Sequence, residues 1–500
     1  MDTSLAAFES CQHASLTASP WTVPVTFCLA VSVLLSYLFP FLVSKPPPTN
    51  RRLKRRLTTT GLTTLLTETD TNLSILFSIT VLDKIVSKET LVAQLRSRLE
   101  PAFFVRFRSR VVGRDFCLVE DFDVADHITV HQLDTSQDVH EYAETLNNVP
   151  LDMAMPLWKL HMVHVNDQTF LLWRLHHCLG DGQSMSMFFL KVCDNGYAVL
   201  EKLATHALAP PKKPSDGRRH HTSIWRSTSI QCIHVLETVG LVLWSIALYM
   251  RKIVCMMCIA ESSQYFKQPG HTTKRLSYSL ALTVTDTKAL GKHMAASIND
   301  VMLSCVAGAL KHMLPETDRR HPRMFLRAAI PINMRSVYDP FLTTSNAFSS
   351  LLIDLPVGEP NRIKRTEMVV QAMAEAKTSL ERVFTLGLTK IMAALPVAVM
   401  LPISRMFTSR VSVAITNVRG PTDELYLGGA KIVQSIGFLP PPPSVNVGIA
   451  ITSIGNTLGV TVATDNSIDA PKLMAAIEAE FIALQASCAA ILTADDKKHV

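Results

Sequence analysis

The sequence predicts an α/β protein of two domains held behind a single N-terminal transmembrane helix. Three observations carry this. Runs rich in β-forming residues alternate with helical apolar spacing from residue 61 onward. A stretch rich in Pro, Lys, Arg and His, from Ala209 to Arg226, divides the chain as an exposed connection would. No charged residue occurs between Trp21 and Val43, a length that at about 1.5 Å per residue crosses a hydrocarbon core of roughly 30 Å. The length, 500 residues, also exceeds what one hydrophobic core usually serves.

Residues 1–20 are read as a lumenal tail and 21–43 as the spanning helix, with Pro24 and Pro40 near its ends. A cleaved signal peptide fits less well, because no Lys or Arg precedes the apolar run and Lys45, Arg51, Arg52, Lys54, Arg55 and Arg56 follow it. By the positive-inside rule the body of the chain is cytosolic, on the endoplasmic reticulum or, alternatively, the plasma membrane or lipid droplets. Residues 44–60, with Pro46, Pro47 and Pro48, read as a linker on the headgroups rather than packed structure.

The first domain is placed at 61–208. Leu91 to Leu99 has helical spacing, and Phe103 to Arg110 alternates like a half-exposed strand. Leu160 to Val165 and Thr169 to Leu175 read as a hairpin turning at Asn166-Asp167, followed by a helix from about Ser184. Residues 209–270 form the connection, which includes the apolar run Val235 to Met250. The second domain, 271–494, opens on a helix at Asn299 to Leu314. Strands follow near Met324 to Ile330, Ala347 to Leu355, Val411 to Thr416, Ser444 to Thr452 and Thr457 to Val462, and a helix closes it at Ala470 to Leu492. Ile391 to Ile403, broken by Pro396 and Pro402, and Val235 to Met250 each read equally as core helices or as segments lying in a membrane interface.

Composition narrows the function. With 48% hydrophobic and 18% charged residues and a mean hydropathy of +0.21, the chain is too apolar for disorder and greasy for a soluble enzyme. A net charge of +7 without a nucleic-acid recognition signature points to an anionic membrane surface and not to RNA or DNA. Ten cysteines without framework spacing suit reduced thiols, and the lone CxxC at Cys255 and Cys258 lacks a second pair for zinc.

The strongest local signal is Leu175-His176-His177-Cys178-Leu179-Gly180-Asp181-Gly182, leaving a strand and entering a loop before a helix. An imidazole of near-neutral pKa can take a proton from a hydroxyl as that oxygen attacks a thioester. Gly180 and Gly182 would let the chain turn tightly. A polar turn at a strand end is the plain alternative for so short a pattern.

The segment resembles the HHxxxDG motif of CoA-dependent acyltransferases. In order along the chain, Phe122 to Ile128, Pro150-Leu151-Asp152, Pro156-Leu157-Trp158, Ile298-Asn299-Asp300-Val301, Pro331 to Arg335, Asn417 to Pro421, Asn446-Val447-Gly448 and Asp465 resemble blocks of the wax ester synthase/diacylglycerol acyltransferase family. Two departures from its pattern are Met153 and Met155 between the second and third blocks, and Arg419 where a proline is usual. The resemblance, from about Thr60 to Ala490, implies two chloramphenicol acetyltransferase-like domains in pseudo-twofold relation around a central channel. It implies acyl-CoA as co-substrate with no further cofactor and no metal, and a long-chain alcohol, diacylglycerol or both as acceptor. His177 would be the general base, His176 a buttress of the loop, and Asp181 a support that holds an arginine. Arg335 and Arg419 are candidates for that arginine or for CoA phosphates, with solvated surface arginine as the alternative. Asn299 and Asp300 either order the site or cap a helix. An acyltransferase acting on a different alcohol, a peptide-condensing domain and a non-catalytic lipid-binding membrane protein are the competing functions.

Overall fold

The computed structural model describes residues 54–99, 104–208, 240, 243–267, 273–319, 321–335, 345–378 and 381–496. The expected spanning helix at 21–43 and the basic connection with His220 and His221 lie outside them.

The first half runs β1 (Lys54–Arg56), α1 (Thr59–Thr67), β2 (Ile75–Leu82), α2 (Lys88–Arg98), β3 (Ser109–Val112), β4 (Asp115–Leu118), β5 (Ile128–Gln132), α3 (Ser136–Asn147), β6 (Trp158–Val165), β7 (Gln168–His176), α4 (Gly182–Val192) and α5 (Gly196–Leu208). Helix α6 (243–258) leads into the second half. That half runs β8 (Lys274–Thr283), α7 (Val284–His293), α8 (Ile298–Met313), β9 (Leu326–Asn333), β10 (Phe348–Leu355), α9 (Arg362–Thr378), α10 (Glu381–Ala394), α11 (Val397–Thr408), β11 (Val413–Val418), β12 (Tyr426–Leu427), β13 (Ala430–Phe438), β14 (Val447–Ile454), β15 (Thr457–Asp465) and α12 (Ala470–Asp496).

Local chemistry accounts for many boundaries. Ser87, Thr135 and Ser297 cap α2, α3 and α8 through their hydroxyls, the last two in capping boxes with Asp138 and Asp300. The β6–β7 hairpin turns at Asn166, which takes φ 49°, a conformation Asn tolerates well.

Two six-stranded mixed sheets form the body, ordered β12-β13-β2-β7-β6-β5 and β10-β9-β11-β14-β15-β8, beside a small sheet β1-β4-β3. The hairpin β12–β13, from the second half of the sequence, pairs with β2 and so completes the sheet of the first half. The first core is aromatic: Phe107 stacks on Phe188 at 4.3 Å, and Trp158 donates its indole N–H to the Phe107 carbonyl at 2.8 Å. The second surrounds α8, whose Val301, Cys305, Val306 and Ala309 are fully buried. Helix α12 is long and apolar enough to cross a membrane, but Leu473, Ile477, Phe481 and Leu484 are buried in this core, as in a core helix of a soluble domain.

Several expectations are corrected. Residues 54–60 are not free linker: Lys54–Arg56 pair with β4, and Thr58 caps α1. Phe103 to Arg110 is not one strand. Val105–Arg108 forms a 3-10 turn that carries Arg106 inward, where its Nη1 donates to the Leu179 carbonyl at 3.0 Å and it lies over the Phe116 ring. Pro396 does separate two helices, whereas Pro402 sits within α11.

Candidate active site

Strand β7 ends at His176, and the motif loop continues to the start of α4. The loop is anchored from three sides. From β2's approach, the Ser74 carbonyl accepts the His177 N–H at 2.7 Å. From behind, Arg106 holds the Leu179 carbonyl. From the second half, Asn346 donates through Nδ2 to the carbonyls of His177 at 2.9 Å and Cys178 at 3.2 Å.

Asp181 is the N-cap of α4, accepting the Ser184 N–H at 2.9 Å. Both its oxygens also accept from Arg335 Nη2 at 2.9 Å, and Oδ2 accepts the Ala347 N–H at 2.8 Å. The same Arg335 nitrogen donates to Ser184 Oγ at 2.7 Å and to the Ser345 carbonyl. Asp181 and Arg335 are each only 6% exposed, so this is a buried ion pair that ties the motif loop to the strand ends of β9 and β10. Of the two candidate arginines, Arg335 is the partner; Arg419 is exposed.

His176 is buried. The Cys178 N–H donates to its Nδ1 at 3.0 Å, and its Nε2 meets Glu68 Oε2, just past the end of α1, at 2.5 Å. Burial opposes a charge on this ring, but Cys178 and Glu68 favour one and carry its pKa above the ordinary histidine value. A proton on Nδ1 would point straight at the Cys178 N–H, so we assign the neutral ring with its proton on Nε2, donated to Glu68. Replacing Glu68 by Ala should therefore free the ring without removing it. We expect activity to fall by about tenfold, less than for loss of His177, with Glu68→Gln intermediate. A kcat unchanged in Glu68→Ala would show that His176 needs no such support.

His177 stands differently. Part of its surface remains open, while its Nδ1 is buried without a hydrogen-bond partner of full geometry. Burial holds its pKa below the ordinary histidine value; its own carbonyl, Asp181 and Asn346 oppose that shift without cancelling it. The Phe348 ring lies 5.7 Å from the imidazole. An imidazole that stays neutral at and below neutral pH, in partial contact with solvent, can accept a proton.

Gly180 and Gly182 do not supply a left-handed turn, since neither has positive φ. What matters is their size. A Cβ on Gly180 would lie 2.6 Å from Met185 Cε, and one on Gly182 would lie 3.2 Å from Val418 Cγ2. Asn299 and Asp300 serve the start of α8: Asp300 completes the capping box with Ser297, and the Asn299 amide contacts Met373 sulfur at 3.9 Å. Neither bonds to the motif loop. His127 is packed on Trp158 at 4.4 Å and bonds its carbonyl at 2.7 Å, a core role.

A cavity of about 390 Å³ lies between the two sheets, lined by Gln168, Phe170, Tyr278, Leu280, Ile454 and Gly459 among others. Phe170 is six positions before His176 on β7, about 20 Å along an extended strand, so this cavity is remote from the histidines. Among the described residues no cluster of His, Cys, Asp and Glu could hold a metal ion.

Glu68, Asn346, Ser184 and Arg106 were not singled out in the sequence. Their partners in the motif loop lie between 73 and 169 residues away, except for Ser184 and Asp181, three apart, a spacing that a capping search would have found.

Comparison with known proteins bears on the family and the fold. Residues 61–302 match the wax ester synthase/diacylglycerol acyltransferase catalytic domain, and residues 344–485 the C-terminal domain of the same family. A Mycobacterium tuberculosis protein named "Probable diacyglycerol O-acyltransferase Tgs4" is 24% identical over 382 residues, 70% of this chain and 77% of that one. Wax ester synthase/diacylglycerol acyltransferase 11 of Arabidopsis thaliana is 24% identical over 339 residues, covering 61% and 69%. Among solved structures, the wax ester synthase/diacylglycerol acyltransferase of Marinobacter aquaeolei VT8 superposes with a TM-score of 0.56 at 16% identity, over 87% of this chain and all of that one. The starter condensation domain of rhizomide synthetase, in complex with C8-CoA, also gives 0.56 at 13% identity, over 88% and 95%. The fold is that shared by these acyltransferases and condensation domains.

Proposed function

Given that this chain belongs to the wax ester synthase/diacylglycerol acyltransferase family and is an O-acyltransferase, we propose that it moves a fatty acyl group from acyl-CoA to a long-chain alcohol, a diacylglycerol or both, with His177 as general base. The observation that carries the assignment of the base is the contrast between the two histidines. His176 is closed off by Glu68 and Cys178, whereas His177 is partly open and held neutral.

The protein contributes position and one proton transfer. With the proton of the neutral ring on Nδ1, towards its own carbonyl and Asn346, the lone pair of Nε2 is free. Nε2 takes the acceptor's hydroxyl proton as that oxygen bonds to the thioester carbon. The tetrahedral intermediate collapses by breaking the carbon–sulfur bond, and the CoA thiolate leaves with the proton from Nε2. The thioester is already activated, so no acyl-enzyme is required, and no metal or further cofactor is needed. Asp181 and Arg335 stay out of the chemistry, because each is consumed by the other. Exposed Arg419 remains available to a CoA phosphate.

The apolar segment at 21–43 and the basic residues after it support a single-pass endoplasmic-reticulum protein with its acyltransferase body in the cytosol, where acyl-CoA resides. Sealed microsomes carrying the chain, fed labelled acyl-CoA with competing long-chain alcohol and diacylglycerol, should yield labelled wax ester, triacylglycerol or both. Protease added outside should abolish that yield. Absence of both products would overturn the substrate assignment, and a protease-resistant activity the orientation.

A further inference from the structure

We propose that α6, α10 and α11 together form a surface that docks on an anionic phospholipid bilayer, on the side of the histidine loop that α1 covers. The inference rests on the acyltransfer reading of the site only in that the acceptor is a lipid. It deepens that reading by naming where the folded body meets the membrane, apart from any N-terminal anchor.

The three helices adjoin. The Tyr249 ring stacks on Phe384 at 5.2 Å, its hydroxyl lies 3.4 Å from Thr385 Oγ1, and Lys252 Nζ pairs with Glu381 at 2.7 Å. Going forward along α6 from Tyr249 to Lys252 therefore means going backward along α10 from Thr385 to Glu381, so the two helices run antiparallel. Extending that alignment at about 1.5 Å per residue brings the start of α6 level with the second half of α10 and the turn into α11. Each of the three helices carries exposed apolar residues: on α6 Leu243 is 61% exposed and Trp244 65%, with Ile246 also exposed, on α10 Val383 is 49% exposed, and on α11 Val399 is 46% exposed, with Val397 also exposed. Large apolar side chains concentrated in this way on adjoining helices mark an interaction surface.

The charge pattern selects the occupant. Arg251, Lys390 and Arg405 are exposed on the same three helices. Glu381, the acid on these helices, is buried and neutralised by Lys252. An apolar face rimmed by cations and, among the described residues of these helices, free of exposed acids complements an anionic lipid surface, with the apolar side chains entering below the headgroups.

The location fits the reaction. Helices α10 and α11 pack on α1. Helix α1 touches the motif loop so closely that a Cβ on Gly61 would stand 3.0 Å from both Asn346 Nδ2 and the Cys178 carbonyl, and Glu68, at its end, holds His176. A bilayer seated on this surface lies on the side of the catalytic loop that α1 covers, with α1 and the docking helices between them.

The test uses the full chain in proteoliposomes of phosphatidylserine and brominated phosphatidylcholine, read by quenching of tryptophan fluorescence. The chain has five tryptophans, of which Trp158 and Trp173 are buried in the first core. In a Trp21→Phe, Trp225→Phe background, which leaves Trp244 as the tryptophan outside that core, a quenched component should be present and should vanish on adding Trp244→Phe. If adding Trp244→Phe leaves the same quenching as that background, the docking surface is overturned, whatever the enzyme's activity. If Trp244 is shielded from both lipid bromine and aqueous iodide, protein covers the face, either a second copy or the N-terminal segment, and the proposal is again overturned. A second variant, Val399→Glu with Trp244→Glu, should raise the KM for a bilayer-borne long-chain alcohol by about tenfold or more while sparing a short, water-soluble alcohol. Ile482→Glu, at a residue 63% exposed on α12, should change neither. Equal losses on both alcohols would overturn the proposal, since they would place the defect in the fold or the site. Wild-type failure on both alcohols would count against the acyltransfer reading alone, and the quenching result would still decide the docking surface.

Discussion

Replacing His177 by Ala should reduce kcat by about 10²- to 10⁴-fold, the range that positioned proton transfer contributes, while leaving the thermal transition and membrane association close to wild type. The ring bears no full hydrogen bond that the fold depends on: its buried Nδ1 has no partner of full geometry, and the loop is held instead through backbone groups of His177, Cys178 and Leu179. His176→Ala should be milder in rate and more damaging to stability, because it removes a buried ring that bonds both Glu68 and Cys178. Residual activity within a few-fold of wild type in His177→Ala, or the opposite order of the two variants, would assign the base to another residue. The pH profile supplies a further check. Burial depresses the His177 pKa, so the neutral, proton-accepting form persists as pH falls through 6.5. The acid limb of kcat/KM should therefore lie below that value, and a limb above it would contradict the buried, neutral base.

Arg335→Leu should cost about 3–5 kcal/mol of folding stability, among the largest effects expected from any single change around the loop. It leaves the Asp181 carboxylate, itself 6% exposed, with backbone donors but no counter-charge, and it also frees Ser184 Oγ and the Ser345 carbonyl. Asp181→Ala should be comparably damaging, since it adds loss of the α4 N-cap, about 0.5–2 kcal/mol, to the unpaired guanidinium. The double variant should fall well short of the sum of the two, because each single change strands the other partner's charge. Chemical denaturation of the three proteins measures this. Full additivity, or a loss under about 1 kcal/mol in Arg335→Leu, would mean that Asp181 and Arg335 are solvated in solution. Activity should fall in parallel, by displacement of the His177 backbone, even though neither residue reacts.

What the sequence determined by itself is what short-range chemistry encodes. The β6–β7 hairpin turns where Asn166-Asp167 says it should, because Asn accepts the left-handed conformation that a two-residue loop requires. His176 and His177 fall at a strand end before a helix that Asp181 caps, all within one eight-residue stretch, so the strand–loop–helix order could be read there. The ordered family blocks likewise identified the fold and the enzyme class.

Tertiary structure alone decided which distant groups serve that stretch. Arg335 and Arg419 are equivalent as sequence candidates, yet only Arg335, at the end of β9, is brought against Asp181. For Asn299 and Asp300 the sequence offered both site and cap, and the fold shows Asp300 in a capping box with Ser297. Glu68 reaches His176 across 108 residues, Asn346 reaches His177 across 169, and β13 crosses from the second half to pair with β2. Such partners leave no periodicity and no spacing in the chain, because their positions depend on how two sheets and their helices bury apolar surface together. Polar groups caught beside that packing must then find hydrogen bonds wherever the fold offers them, since a buried polar group left unpaired costs about 1–3 kcal/mol.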